Sequence, residues 1–313
     1  MIKYYEKLIF LKNKLYFLGI FLGGSLFFFQ LFTTINEVEK IKFFLRVKFS
    51  FIVVLILIFI LAYIVQMAIW RNILISLGFK LPIKLMIRGY WLSFLPRYLP
   101  GSIWGYLSRN EWLLNEIGTP RKITTIASIL EILVVIIGGM EIIFFYLITK
   151  ANLIPLQILL LFLIIFLPTI SYHFLRDTFI KKFLNGKFQN IGILGKSFTY
   201  KYWLINISSA IINWYLFGFV LLLLTSRFDL IINFENFLTT SVYWSFSWIL
   251  GFLIIFIPGG IGIREYLLAK LLTGSFLLSY ELSIAISLFM RFFGLFAEFL
   301  LILLGLLMRK FQK

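Results

Sequence analysis

Ile257-Pro258-Gly259-Gly260-Ile261-Gly262-Ile263-Arg264-Glu265 interrupts an apolar stretch over residues 238–275. Leu99-Pro100-Gly101-Ser102-Ile103, with Arg109 following, interrupts a second stretch over 83–116. In each, proline ends an incoming helix, because it has no N–H to donate and its ring crowds the preceding turn. Glycine then lets the backbone turn tightly. A new helix begins just beyond, with free N–H groups and a partial positive charge at its first turn, which suits an anion. One Pro-Gly alone reads as a kink, since both residues are common in membrane helices. Two of them, each followed by an arginine and at matching positions of two halves, form the pattern of discontinuous helices that frame a binding site near the bilayer midplane. The tips Pro100, Gly101, Pro258, Gly259, Gly260 and Gly262 are therefore candidate site residues.

The composition around these strings excludes a water-soluble globular domain. Of 313 residues, 61% are hydrophobic and 14% charged, with a mean hydropathy of +1.00, against roughly 25% charged in soluble domains. Further apolar runs near the ~20 residues needed to cross a bilayer cover about 15–35, 49–69, 123–149, 153–173, 203–224 and 279–308. Backbone in lipid has no external hydrogen-bond partner, so these runs are expected to be helical. The net charge of +17 is read as basic loops facing an anionic inner leaflet rather than as a nucleic-acid surface. Lys3, Lys7, Lys12 and Lys14 precede the first run, no small-residue cleavage site follows it, and it is taken as an uncleaved span.

Arg176, Lys181, Lys182, Lys187, Lys196 and Lys201 place the 174–202 loop in the cytoplasm. The N-terminal lysines and the closing Arg309-Lys310-Phe311-Gln312-Lys313 ask for the same side. Counting spans between these anchors, stretch 83–116 starts and ends inside, whereas 238–275 starts and ends outside. The sequence thus predicts an all-α polytopic membrane protein, one domain over 1–313, with about six full spans and two opposed re-entrant helical hairpins in an inverted-repeat arrangement. Segment 36–48, outside by this count, carries Lys40, Lys42, Arg46 and Lys48 and is read as an interfacial amphipathic stretch. A prokaryotic cell membrane, with both termini cytoplasmic, is the expected location.

Charges inside the spans mark the interior, because each costs roughly 2.5–3.5 kcal/mol at the centre of a membrane helix. Thr124, Ser128, Glu131 and Gly138 share one helical face; Ser283, Ser287, Arg291, Gly294 and Glu298 form a longer stripe. Asn206, Ser209 and Asn213 mark a third, and Thr240, Ser247 and Gly251 a fourth. One account is structural, with Glu131 bridged to Arg291 and the hydroxyls bonded across helices. The other is a headgroup site in which Arg109, Arg264 and Arg291 hold a phosphate while Glu131, Glu265 and Glu298 hold the arginines or an amine. Glu141 lies about 80° around the helix from Glu131 and is read as reaching the interface; His173 is read as an interfacial histidine, and Trp91, Trp104, Trp112, Trp203, Trp244 and Trp248 mostly as interfacial or hairpin packing. The chain has no cysteine and two aspartates, Asp177 and Asp229, in different loops. It carries no Mg²⁺, zinc or phosphate-loop motif, so neither a metal nor another cofactor is expected, and no enzymatic activity.

The segment Leu99-Pro100-Gly101, with Gly105, Arg109, Gly118, Ala127 and Glu131 after it, resembles the first signature of the lysylphosphatidylglycerol synthase transmembrane-region family, also called the flippase-like domain family. Pro258-Gly259-Gly260-Ile261-Gly262-Ile263-Arg264-Glu265, followed by Ala285 and Arg291, resembles its second. One departure is Ile132, where the family often has an arginine. The resemblance covers about residues 10–308 and implies a protein that flips or handles a lipid. Longer members carry a soluble aminoacyl-transferase domain after the last span; this chain ends at Lys313, and that synthase activity is expected to be missing. The expected function is translocation of an anionic or aminoacylated phospholipid, or of a polyprenyl-phosphate-linked lipid, either downhill or coupled to protons through Glu131. The alternatives are a non-transporting partner of a lipid- or glycan-modifying enzyme and, third, a membrane enzyme on a lipid-linked substrate. A second copy of the chain or a partner enzyme are the protein companions considered, and nucleic acid is not.

Overall fold

The computed structural model describes residues 48–79, 81–98, 104–176, 198–228, 230–254, 257 and 260–308. The expected first span at 15–35, the interfacial segment 36–47, most of the basic 174–202 loop, the closing basic residues, and the tip residues Pro100, Gly101, Pro258 and Gly259 lie outside them. Every described element is helical: α1 (Phe49–Ser76), α2 (Ile83–Leu92), α3 (Trp104–Ile117), α4 (Arg121–Lys150), α5 (Ile154–Phe174), α6 (Tyr200–Thr225), α7 (Phe234–Leu253), α8 (Ile263–Phe276) and α9 (Tyr280–Leu307). Short 3₁₀ turns cover Leu95–Tyr98 and Ser226–Phe228.

Five of these, α1, α4, α5, α6 with its 3₁₀ extension, and α9, are long and apolar enough to cross a membrane. They coincide with five of the six expected spans, and the chain is a membrane protein. Their boundaries follow local chemistry. Pro82 and Pro120 precede α2 and α4, where a missing N–H costs nothing. Asn233 accepts a bond from the Asn236 N–H at 2.8 Å to cap α7, and Ser279 caps α9 through the Leu282 N–H at 3.3 Å.

The two interrupted stretches appear as helix–break–helix segments, α2/α3 and α7/α8, with α7 starting four residues earlier than expected. In each, the first arm packs beside the second. Gly89 of α2 lies against the Trp112 ring of α3, and Arg88 approaches Glu116 at 4.0 Å. Tyr243 of α7 bonds to Ser275 of α8 through their hydroxyls. The α2/α3 pair joins α4 at its start, where Arg121 donates two bonds to Glu111 at 2.7 and 2.8 Å. The α7/α8 pair begins beside the end of α4, where Lys150 meets Glu235. The α2/α3 pair thus meets α4 at its start, and the α7/α8 pair meets it at its end.

The short turn at 151–153 returns α5 antiparallel to α4, and the contacts of Tyr200 and Trp203 with Thr169 and Pro168 near the end of α5 start α6 there, so that α6 runs parallel to α4. Gly138 of α4 rests on Ala210 of α6, and the Trp214 indole donates to the Val135 carbonyl at 2.9 Å. Between α6 and α7 the approach is closer still, with Gly218 directly over the backbone of Ser241. A Cβ at Gly218 would occupy the same space as Ser241, so Gly218→Ala is expected to lower stability by about 1–3 kcal/mol through overpacking. Gly274→Ala, in a helix with nothing within 4 Å of the added carbon, should be neutral or stabilising by up to about 1 kcal/mol. Thermal unfolding of the two variants in the same detergent checks the contrast; equal shifts would contradict the α6–α7 packing.

Candidate functional site

Both broken segments point at a cavity of about 120 Å³. Its wall includes Tyr63 and Gln66 of α1, Tyr90 of α2, Arg97 of the first break, Tyr106 of α3 and Glu131 of α4. The opposite wall is made of Trp244 and Trp248 of α7, Arg264 and Glu265 of α8, and Ser287, Arg291 and Glu298 of α9. Two thirds of the lining residues are aromatic or ionic.

Three ion pairs organise it. Glu131 accepts two bonds from Arg109, at 2.6 and 3.2 Å, and a third from the Tyr90 hydroxyl at 2.9 Å. Arg109 is 1% exposed, and its guanidinium lies 5.0, 4.6 and 4.9 Å from the ring centres of Trp70, Tyr90 and Tyr106. Planar guanidinium suits this stacking and the bidentate grip, and lysine would reproduce neither. Glu265 accepts from Arg291 at 2.6 Å, and its other oxygen accepts the Gly262 N–H at 2.6 Å. One carboxylate thus caps the first turn of α8 and holds an arginine of α9. Arg97 donates to Glu298 at 3.1 Å with its guanidinium over the Phe94 ring, so the break between α2 and α3 is tied to α9.

The glycines of the second string have separate reasons. Gly262 adopts φ +86 at the position whose N–H reaches Glu265, a conformation unfavourable to residues with a Cβ. Gly260, at φ +66, has the Arg264 Nε only 2.8 Å from where a Cβ would stand. Gly251 of α7 lies under the same side chain. Arg264 therefore crosses the break through a slot made of two glycines, and its guanidinium lies 4.7 Å from the Trp248 ring centre.

Against the sequence expectations, the structure gathers Glu131, Glu265, Glu298, Arg264 and Arg291 on one cavity and sets Arg109 behind its wall. Arg109 is enclosed, which makes it a support for Glu131 rather than a direct contact to a ligand. The Glu131–Arg291 bridge of the structural account is not formed; the pairs are Arg109–Glu131 and Arg291–Glu265. Arg97, Tyr90 and Tyr106 were not singled out from the sequence; Arg97 carried a signal, being an arginine three residues before Pro100 inside an apolar stretch. Ser209 leaves the polar interior and bonds back to the Ile205 carbonyl at 2.8 Å, while Asn206 and Asn213 are buried. Glu141, expected at the interface, is buried in α4 at 5% exposure. Trp203, expected at an interface, is fully buried with its indole on the Pro168 carbonyl at 3.0 Å. His173 is exposed at the end of α5, edge-on to Tyr172.

Removing one member of a buried pair leaves the other charge stranded, at a cost of about 3–5 kcal/mol. Arg109→Met is expected to lose that much stability, and the double variant Arg109→Met/Glu131→Leu to recover a large part of it. Arg97→Met should cost less, because Arg97 is 28% exposed. Denaturation midpoints of the four proteins measure this order. A double variant no more stable than Arg109→Met would refute the coupling.

Compared with known protein families, curated proteins and solved structures, the chain finds no match.

Proposed function

We propose that the protein is a membrane lipid translocase whose cavity holds the phosphate of a lipid headgroup. The observation that carries this reading is the convergence of Arg97, Arg264 and Arg291 on one aromatic-lined cavity where two interrupted helices meet. Guanidinium forks match phosphate oxygens. The start of α8 adds N–H groups and a positive dipole end beside Arg264. Counting Arg109, four arginines surround three glutamates, so the described site has one positive charge in surplus. That balance favours a headgroup of net negative charge, such as an anionic phospholipid or a polyprenyl phosphate.

In this reading the α2/α3 and α7/α8 segments are the two re-entrant hairpins, entering from opposite faces with their tips near the midplane. Arg97 links the first tip to α9, and Glu265 links the second to α9. An arriving phosphate competes with Glu298 and Glu265 for these arginines. Sharing each arginine between carboxylate and phosphate loosens each tip from α9, the surplus positive charge of the site being met by the headgroup, and rocking of the two halves then presents the cavity to either side. Acyl chains stay in lipid, and only the headgroup crosses the polar interior.

The test is headgroup transfer in liposomes containing a labelled anionic phospholipid. Arg264→Ala and Arg291→Ala are each expected to reduce the rate at least tenfold while the purified variants keep a cooperative thermal transition. Transfer at the wild-type rate by both would rule out this site. Native mass spectrometry of gently solubilised protein, followed by lipid extraction, should recover a phosphate-bearing lipid that Arg264→Ala no longer retains.

A further inference from the structure

Four glutamates are buried among the described residues, and three of them are held by arginine. Among the described residues the fourth, Glu141, meets no ion-pair partner, and its Oε1 no hydrogen-bond partner. It lies one turn beyond Gly138, the residue through which α4 touches Ala210 of α6. One turn beyond Ala210 on α6 stands Asn213, 1% exposed, with neither Oδ1 nor Nδ2 hydrogen-bonded. Because α4 and α6 run parallel, these two orphaned side chains occupy the same level of one interface. The indole that could have served them, Trp214, is committed to the Val135 carbonyl.

The charged groups of the packed helices lie elsewhere. On α4, Glu131 is ten residues earlier and bound to Arg109, and Lys150 is nine later and bound to Glu235 of α7. Arg71 of α1, and Arg109, Glu111 and Glu116 of α3, belong to the end of the bundle where α4 begins. His173 of α5 is at that end too. The titratable groups nearer this level are phenols: Tyr146 on α4, Tyr215 on α6 and Tyr243 on α7. Among the described residues, no countercharge faces Glu141 from these elements.

We propose that Glu141, with Asn213, is a membrane-embedded proton-binding site separate from the cavity. An ionised carboxylate there would be an uncompensated charge in apolar packing, which proteins avoid by neutralisation. With a proton, the carboxyl offers one donor and one acceptor, the complement of an amide's acceptor and donors. Opening of the α4–α6 interface admits water; the O–H bond then breaks, the proton leaves to water and a carboxylate remains. Closing reverses the step. Glu131, by contrast, is fixed by two N–H bonds and one O–H bond. The site stands whether or not the cavity takes a lipid. Since α4 also carries Glu131, proton release at Glu141 and movement of the cavity wall share one rigid element.

Infrared difference spectroscopy of the full chain in liposomes tests this directly. The wild type is expected to show, at neutral pH, the carbonyl band of a neutral carboxylic acid, bleached at alkaline pH and absent from Glu141→Gln. A wild type without the band, or a band unchanged in Glu141→Gln, overturns the proposal. Loss of the band on adding sodium at constant pH would overturn it in favour of a metal-cation site. If Glu141→Gln does not fold, the wild type decides alone: a lipid-soluble carbodiimide, which adds to protonated carboxyls, should mark Glu141 by peptide mass spectrometry. Adducts found only at other carboxyls would overturn the assignment.

Discussion

A charge in an apolar interior must have a partner, and much of this structure follows from that constraint. Seven ionised side chains cluster about one cavity, where an isolated one would be costly enough to unfold a marginal domain. Each carboxylate is consequently met by an arginine from a different helix: α3 with α4, the first break with α9, α9 with α8. Helix packing in lipid lacks a strong hydrophobic drive, because the tails are as apolar as the side chains. Ion pairs of this kind fix which helix faces which, a service that nonspecific apolar contacts between similar Leu- and Phe-rich surfaces do not provide.

The breaks in α2/α3 and α7/α8 serve the same end. A continuous helix buries its own backbone N–H groups; an interrupted one releases a few of them in the interior, where something must accept them. At the second break Glu265 does so, taking the Gly262 N–H with one oxygen and Arg291 with the other. Backbone and side-chain electrostatics are thereby joined in one residue. The aromatic rings complete the arrangement, because Trp248, Tyr90 and Tyr106 lie against guanidinium faces that carboxylates leave uncovered.

Much of the fold was legible in the sequence because spanning helices announce themselves by length and hydropathy, and the breaks by Pro-Gly. The positions of Glu131, Glu265, Glu298, Arg264 and Arg291 in the interior were equally legible, since a charge in an apolar run has few other places to go. The pairing was not. Which arginine meets Glu131 depends on the mutual rotation of α3, α4 and α9, and a periodicity of 3.6 residues orients a helix only relative to its own stripe. Ser209 shows the same limit: it shares a stripe with Asn206 and Asn213, yet satisfies itself on the Ile205 carbonyl and so need not face the interior at all. Glu141 failed for a related reason, because an angular offset from Glu131 says nothing of which further neighbour covers that flank.

Trp203 and Trp214 each place an indole N–H on a carbonyl of a neighbouring helix, at Pro168 and Val135. The Pro168 carbonyl lies in a helix that packs little of its length against protein: among the buried residues of α5 are only Leu160, Pro168 and Tyr172. Its remaining circumference is apolar and outward. For such a helix, the surrounding lipid sets the composition of most described positions, and packing on α4 together with the Trp203 bond sets its place. α5 is in this sense moored on one side, held along α4 and at Trp203 while its described outward face is matched to hydrocarbon rather than to a neighbouring helix.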